Sequence, residues 1–395
     1  MTDWPVKTLG EVCELVNGAT PDTKVKEYWG GKHAWITPAE MSGLDSPFLS
    51  MSRRTLSDKG LASCSATMVP PMTVILSSRA PIGHLIINEV PMATNQGCKS
   101  LIPKEGLDFS FLYYYLKANV EVLESLGTGT TFKELSGTQL KTVEIPMPPL
   151  EEQKRVVALL DAATARITEL TTCYEQARTH ANDLLESSLL ELFADAFESQ
   201  PKRRMGEVLQ IARGGSPRPI SEYITNSPEG VNWIKIGDAS SSKKYIYETA
   251  QKIKPEGVSR SRMVYPGDFL LSNSMSFGRP YIMKTEGCIH DGWLVLRDSK
   301  GELDQDFLFY LLGSRFMYEK FSQLAAGSTV QNLNSALVSS VEIPVPPIDF
   351  QKRIAEKARM LEENVARLNE VNELRLQHAS DLRQSILEAA FAGEL

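Results

Sequence analysis

Long apolar runs are what this sequence most plainly lacks. No stretch approaches the roughly 18 uninterrupted apolar residues of a membrane span. The opening MTDWPVKTLG has neither the apolar core nor the basic flank of a secretory leader. Together these absences lead us to expect a soluble, cytoplasmic protein that does not engage a membrane. Cysteine is scarce and scattered (Cys13, Cys64, Cys98, Cys173, Cys288), with no CxxC pair, which disfavours a disulfide framework or a zinc site. His33, His84 and His290 stand alone, without metal-ligand spacing.

Catalytic signatures are missing as well. There is no GxxxxGK(S/T) phosphate loop, no GxSxG elbow, no HExxH and no GxGxxG after a strand. GTGTTF at Gly127 precedes no strand–helix unit and reads as a structural turn. The Pro-Pro steps lack the Asn or Asp and the aromatic that an amino-methyltransferase sets around its target nitrogen. Pro21 and Asp22 precede Lys24, but no second acidic-x-Lys element completes a nuclease-like site. We therefore expect a non-enzymatic chain with no metal and no cofactor of its own.

An excess of positive charge, the usual mark of a nucleic-acid binder, is also missing, since the net charge is −7. Its distribution matters more than its sum, because fields act over about 8–10 Å at physiological salt. Residues 149–198 carry 4 basic and 10 acidic side chains and residues 348–395 carry 7 and 9. Residues 1–148 are net −2, whereas residues 199–347, with 18 basic and 15 acidic, are net +3. The net negative excess thus lies mainly outside the two long mixed segments.

What is present is a repeat. LGEVCELVNGATP from Leu9 is echoed by MGEVLQIARGGSP from Met205, and AWITPAEM from Ala34 by NWIKIGDA from Asn232. VPPMTVILSSRAPIG from Val69 matches VYPGDFLLSNSMSFG from Val264, FLYYYL at Phe111 matches FLFYLL at Phe307, and GTTFKEL at Gly129 matches GSTVQNL at Gly327. VEIPMPPLEEQKRV at Val143 returns as VEIPVPPIDFQKRI at Val341, and all offsets stay between 195 and 198 residues. A constant offset marks a duplicated unit. Between the anchors, 42–68 and 240–263 share almost nothing and are polar, as exposed loops are.

Each unit opens with a mixed part. TVILSS, HLIIN and KSLIP, then DFLLSN, PYIMK and WLVLR, are short apolar runs bounded by turn residues and read as strands. FSFLYYYLKANVEVLESL and DFLFYLLGSRFMYEKFSQL have helical spacing. Their aromatics (Tyr113, Tyr114, Tyr115; Phe307, Phe309, Tyr310) read as core. In each junction VEIP is a strand that the following prolines stop, and acidic residues then open a long helix. Val156, Leu160, Ala163, Ile167, Leu170, Tyr174, Ala177, Ala181 and Leu184 alternate spacings of four and three. Ile354, Ala358, Leu361, Val365 and Leu368 do the same, with Asn372 next. Such a stripe is a coiled-coil seam. The fold class expected is α+β: two similar globular domains (1–148 and 199–347) separated by a pair of long antiparallel coiled-coil helices (149–198 and 348–395), with an internal pseudo-two-fold repeat. About 45 residues of helix would make a bar of roughly 65–70 Å.

The doubled junctions, the ending LRQSILEAAFAGEL and the opening LGEVCELVNGATP resemble the specificity subunit of type I restriction–modification systems over essentially the whole chain. That resemblance implies two target-recognition domains, each reading one half of a bipartite site in double-stranded DNA over one or two duplex turns. It also implies two methyltransferase subunits with S-adenosylmethionine bound on them, and restriction (motor–nuclease) subunits. A flipped target base would enter the partner's pocket. DNA contact falls to basic residues in or beside the divergent loops: Arg53, Arg54 and Arg79 in the first head, and Lys243, Lys244, Arg260, Arg262 and Arg279 in the second. Partner docking falls to the junction regions: Thr131, Phe132, Lys133 and Glu152, with Thr329, Val330, Gln331 and Phe350. The rival reading is a two-headed coiled-coil adaptor that grips proteins and ignores DNA.

Overall fold

A computed structural model describes the chain except residues 1–3, 45, 130–132, 241, 274–277 and 326–332. It divides into two compact units, Met1–Tyr174 with Leu374–Leu395, and Glu175–Glu373. Each unit holds one head, one half of the helix Leu150–Ser199 and one half of the helix Ile348–Ala392.

The first head is closed by its own ends. Val6–Thr8 pairs antiparallel with Glu144–Pro146, so the VEIP strand fastens the exit of the head to its entrance. The second head repeats this with Lys202–Arg204 against Glu342–Pro344. In the first head a five-stranded sheet runs in the order Cys13–Asn17, Cys98–Pro103, Val74–Ser78, Ile82–Asn88, Phe48–Leu49. In the second, Gln210–Arg213, Trp293–Arg297, Phe269–Ser272, Pro280–Met283 and Tyr245–Ile246 follow the same order. The apolar runs expected to be strands are the inner strands of these sheets.

The heads differ in their second sheet. In the first head, Arg54–Leu56, Trp29–Ile36 and Met92–Thr94 form three strands. In the second, Gln251–Ile253, Val231–Ile234 and Gly287–Ile289 are flanked by Ile224–Thr225 and Arg262–Val264, giving five. Of the two extra strands, Arg262–Val264 begins at the end of the divergent segment 240–263, and Ile224–Thr225 lies before it.

The aromatic helices are core, as expected, but each is broken in two. Phe109–Ala118 and Val120–Leu126 meet at Asn119, and Gln305–Gly313 and Arg315–Ala325 meet at Ser314, whose backbone is extended. Asp108 and Asp304 cap the first of each pair through backbone N–H groups of the next turn. Phe111, Leu112 and Leu116, and Phe307, Leu308 and Leu311, are buried against the sheets.

The repeated junction has a structural cause in one side chain. Gln153 is fully buried. Its amide donates to the carbonyls of Gly106 (2.8 Å) and Pro148 (2.9 Å), and its oxygen accepts from Asp108 N–H (2.9 Å). Gln351 does the same with Glu302, Pro346 and Asp304. One glutamine thus ties the proline stop, the start of the long helix and the cap of the aromatic helix together in each head. Nearby, Tyr114 donates to Asp161 (2.6 Å) and Tyr310 to Glu362 (2.8 Å).

Within each unit the two long helices run antiparallel. In the first unit Arg383 reaches Thr168 while Arg155 reaches the Leu395 carbonyl. In the second, Arg178 pairs with Glu373 (3.0 Å) and Asn369 bonds Asn182 (2.9 Å). Each head completes its core with opposite ends of the two helices. Val156, Leu160, Leu387 and Ala390 join the first core, and Phe193, Phe197, Ile354 and Ala358 the second. The expected seam holds at Val156, Leu160, Ile167, Ala358 and Val365 but not at Leu184 and Leu368, which are 63% and 54% exposed. A strict four–three alternation drifts by about 20° per heptad on a straight helix, so on the first long helix the stripe passes from Leu184 to Leu185, Leu189, Leu192 and Phe193, whereas on the second the register resumes at Asn372, which is buried.

Candidate nucleic-acid interface

At one end of the first head three sequence-distant turns meet. Residues 17–22 lie against 95–97 so closely that a Cβ on Gly18 would sit 1.9 Å from the Asn95 carbonyl. Ala19 N–H bonds Thr94 O (2.9 Å), and the Thr20 hydroxyl is hydrogen-bonded to the Gln96 side-chain oxygen. Arg79 closes the group: a Cβ on Gly97 would be 3.2 Å from its Nε and 3.3 Å from Asn95 Oδ1. Glu134 faces the same guanidinium at 3.8 Å. Behind it Lys99 is buried, and burial holds its ammonium below the ordinary lysine range, with Glu134 opposing and Arg79 adding to the effect.

The second head builds the same junction from different side chains. A Cβ on Gly214 would lie 2.1 Å from the His290 carbonyl. Gly214 N–H bonds Trp293 O and Gly215 N–H bonds Ile289 O. Ser216 donates to Asp291 (2.7 Å), where Thr20 meets Gln96 in the first head. Arg218 pairs with the Asp291 carboxylate at 3.4 Å, while Arg213 Nε and Asn273 Nδ2 donate to the Asp291 carbonyl. Ser216 holds the Asp291 carboxyl below the usual carboxylate range. Glycine is required at both Gly18 and Gly214 because backbone meets backbone there.

Each hub backs onto a tryptophan. Trp35 Nε1 donates to the Ala19 carbonyl (3.0 Å), and the Arg54 guanidinium lies over Trp29 at 3.7 Å and over Trp35 at 5.3 Å. Trp233 stands opposite His290, with ring centroids 6.2 Å apart. Burial pushes the His290 imidazole below its ordinary value, with Asp291 and Asp238 opposing and Lys235 reinforcing. Its Nδ1 accepts from Gly292 N–H (2.8 Å).

The residues expected to touch DNA fall into two groups. Arg54 and Arg79 are brought to one end of the first head through Trp35 and the hub. Arg53 is exposed beside Arg54, its backbone N–H held by Glu40. Arg262 Nε donates to the Arg213 carbonyl (2.8 Å), and the Arg260 carbonyl lies beside Gly215, so both belong to the second hub. Arg279 is exposed, and its N–H bonds Ser272, next to Asn273. Lys244 is elsewhere: it pairs with Asp306 (2.7 Å) and lies within 4.7 Å of the Phe309 ring, with Lys243 exposed beside it.

Of the residues expected to dock a partner, Thr131, Phe132, Thr329, Val330 and Gln331 lie outside the described residues. Lys133 is exposed. Glu152 pairs with Arg155 at 2.8 Å, which holds its carboxyl below the ordinary range. Phe350 packs half-buried on the second core with Arg353 over its ring.

Sequence reasoning missed Thr20, Asn95, Gln96, Arg213, Ser216, Arg218 and Asp291. For Thr20, Arg213 and Ser216 the signal lay in the aligned openings NGATP and RGGSP, read only as scaffold; Asn95, Gln96, Arg218 and Asp291 lie outside them. Among the described residues there is no cluster of His, Cys, Asp or Glu that could hold a metal, and no helix is long and apolar enough to cross a membrane.

Known proteins share this arrangement. The family described as "Type I restriction modification DNA specificity domain" matches residues 1–177 and 198–373. The Type I restriction enzyme MjaIX specificity subunit of Methanocaldococcus jannaschii is 27% identical over 423 residues, covering 100% of this chain and 94% of that protein. The EcoR124I/EcoR124II specificity subunit of Escherichia coli is 27% identical over 173 residues, 41% of this chain and 42% of that protein. Among solved structures, the HsdS subunit from Thermoanaerobacter tengcongensis superposes with a TM-score of 0.65 at 23% identity, covering 100% of this chain and 98% of the other. A chain solved in work on complex assembly and conformational transition of the type I R-M system gives 0.79 at 22% identity, covering 99% and 98%.

Proposed function

Because this chain belongs to the type I restriction–modification DNA specificity family, we propose that its two heads read the two halves of one split DNA sequence. The chain is a non-catalytic specificity subunit of a type I restriction–modification system. In our reading, methyltransferase subunits dock at the doubled junctions, one copy on each, and carry S-adenosylmethionine. Restriction subunits join this assembly, and it works on double-stranded DNA in the cytoplasm. The observation that carries the proposal is the pair of hubs: one backbone arrangement, with Thr20 and Gln96 in the first head and Ser216 and Asp291 in the second. A duplicated scaffold with different polar side chains at the same place is what two different half-sites require, since base edges are distinguished by donor and acceptor pattern.

The test is selection of duplexes from a randomised library by the assembled methyltransferase–specificity complex, repeated at several salt concentrations. A split consensus, with affinity falling steeply as salt rises through counterion release, is the expected result. Capture of no consensus by an assembled complex would overturn the reading.

A further inference from the structure

We propose that the turns 95–97 and 290–292, together with the segments 17–22 and 213–218 that face them, are the base-reading elements of the two heads, with Asn95 and Gln96 contacting an adenine in one half-site and Arg218, set by Asp291, contacting a guanine in the other. This rests on the reading of two heads on two half-sites and adds which residues do the reading.

The first argument is equivalence. Gly18 and Gly214 allow the same backbone-to-backbone approach, so the two turns occupy one position in a duplicated frame. Chemistry at that position has diverged: Asn17, Thr20, Asp22, Asn95 and Gln96 correspond to Arg213, Ser216, Arg218, His290 and Asp291. Scaffold needs would have kept these side chains alike, as they kept Gln153 and Gln351 alike.

The second argument is preorganisation. Gln96 is exposed yet tethered by Thr20. Arg218 is exposed yet aimed by Asp291, which Ser216 and the Arg213 contact hold in turn. A polar side chain already fixed in direction loses less entropy on binding. Side-chain amides match the N6 and N7 pattern of adenine, and guanidinium matches O6 and N7 of guanine. The third argument is the surround. Arg54 and Arg79 flank the first hub, and Arg213 and Arg262 the second. Cations beside a base-reading group supply the phosphate contacts that fix register.

The experiment uses the full-length chain co-expressed with the methyltransferase subunit of its own system, with modified bases mapped across the host genome. Gln96→Ala and Arg218→Ala are compared with the unaltered chain, and complex formation by each variant is verified by size-exclusion chromatography. We expect Gln96→Ala to make a single adenine position of one half-site degenerate and Arg218→Ala a single guanine position of the other. Discrimination at each position should fall by about ten- to a hundredfold, with all other positions kept. A split motif read as sharply by both variants as by the unaltered chain would overturn the assignment while leaving bipartite recognition intact. Failure of the unaltered complex to modify any split motif would remove both.

Discussion

The two heads are alike where they hold themselves together and unlike where they face outward. Gln153 and Gln351 make the same three hydrogen bonds to corresponding backbone groups, and the five-stranded sheets share one strand order. Gln96 and Asp291 occupy equivalent places with different charge, and the second sheet grows from three strands to five. The difference teaches that duplication fixed the backbone frame and the helix junction, while recognition was left to side chains on turns that the frame presents. Electrostatics follow the same division. The first head, net −2, has a hub built of amides and one hydroxyl beside Arg79. The second, net +3, sets Arg218 against the Asp291 carboxylate and Arg213 against the Asp291 backbone carbonyl.

That comparison can be broken at its shared part first. Replacing Gln153 or Gln351 with Ala orphans a buried N–H and two carbonyls, at a cost on the order of 3 kcal/mol. Hydrogen exchange, read separately for each unit, should show equal loss in the two variants. Unequal losses would mean that the junctions are not equivalent. The next effect lies in the first head alone. Arg54→Ala removes the guanidinium from Trp29 and Trp35, costing about 1 kcal/mol, and should weaken DNA binding without relaxing the second half-site; quantitative binding to half-site variants measures both.

A smaller effect separates the heads by charge. Arg262→Ala should flatten the slope of log affinity against log salt by about 1, whereas Gln96→Ala should leave that slope unchanged. Equal flattening by both would erase the contrast. Smallest is a pH effect confined to the second unit. Folding holds His290 below its unfolded value, so the unfolded chain binds the extra proton. The stability it contributes is complete above about pH 6.5, the unfolded imidazole value, and is lost as pH falls below it toward the folded one. His290→Asn, which installs the residue the first head has at this position, should remove that dependence in denaturation midpoints between pH 5 and 7.5.

Much of this was legible from residue order alone. The VEIP strands, their proline stops and the long helices follow from local chemistry, and the aromatic helices read correctly as core because Phe111 and Phe307 recur on one face. The breaks at Asn119 and Ser314 were not legible, since apolar residues resume on the far side of each. Leu184 keeps the heptad in sequence but leaves the seam because a straight helix turns past it. The hubs were hidden for a different reason: residues 17–22, 79 and 95–97 meet only through tertiary folding, and no window of sequence contains them together. Lys244 illustrates the converse. A lysine in a polar divergent segment gives no sign that Asp306 and Phe309 hold its ammonium.

The central claim, that two heads on one repeated frame read two halves of a DNA site, is tested most directly by single-molecule mapping of modified bases in a host carrying the methyltransferase subunit with and without this chain. The account predicts two short defined sequences separated by a fixed unspecified gap, modified only when both proteins are present. A single contiguous motif, or modification that does not depend on this chain, would contradict it.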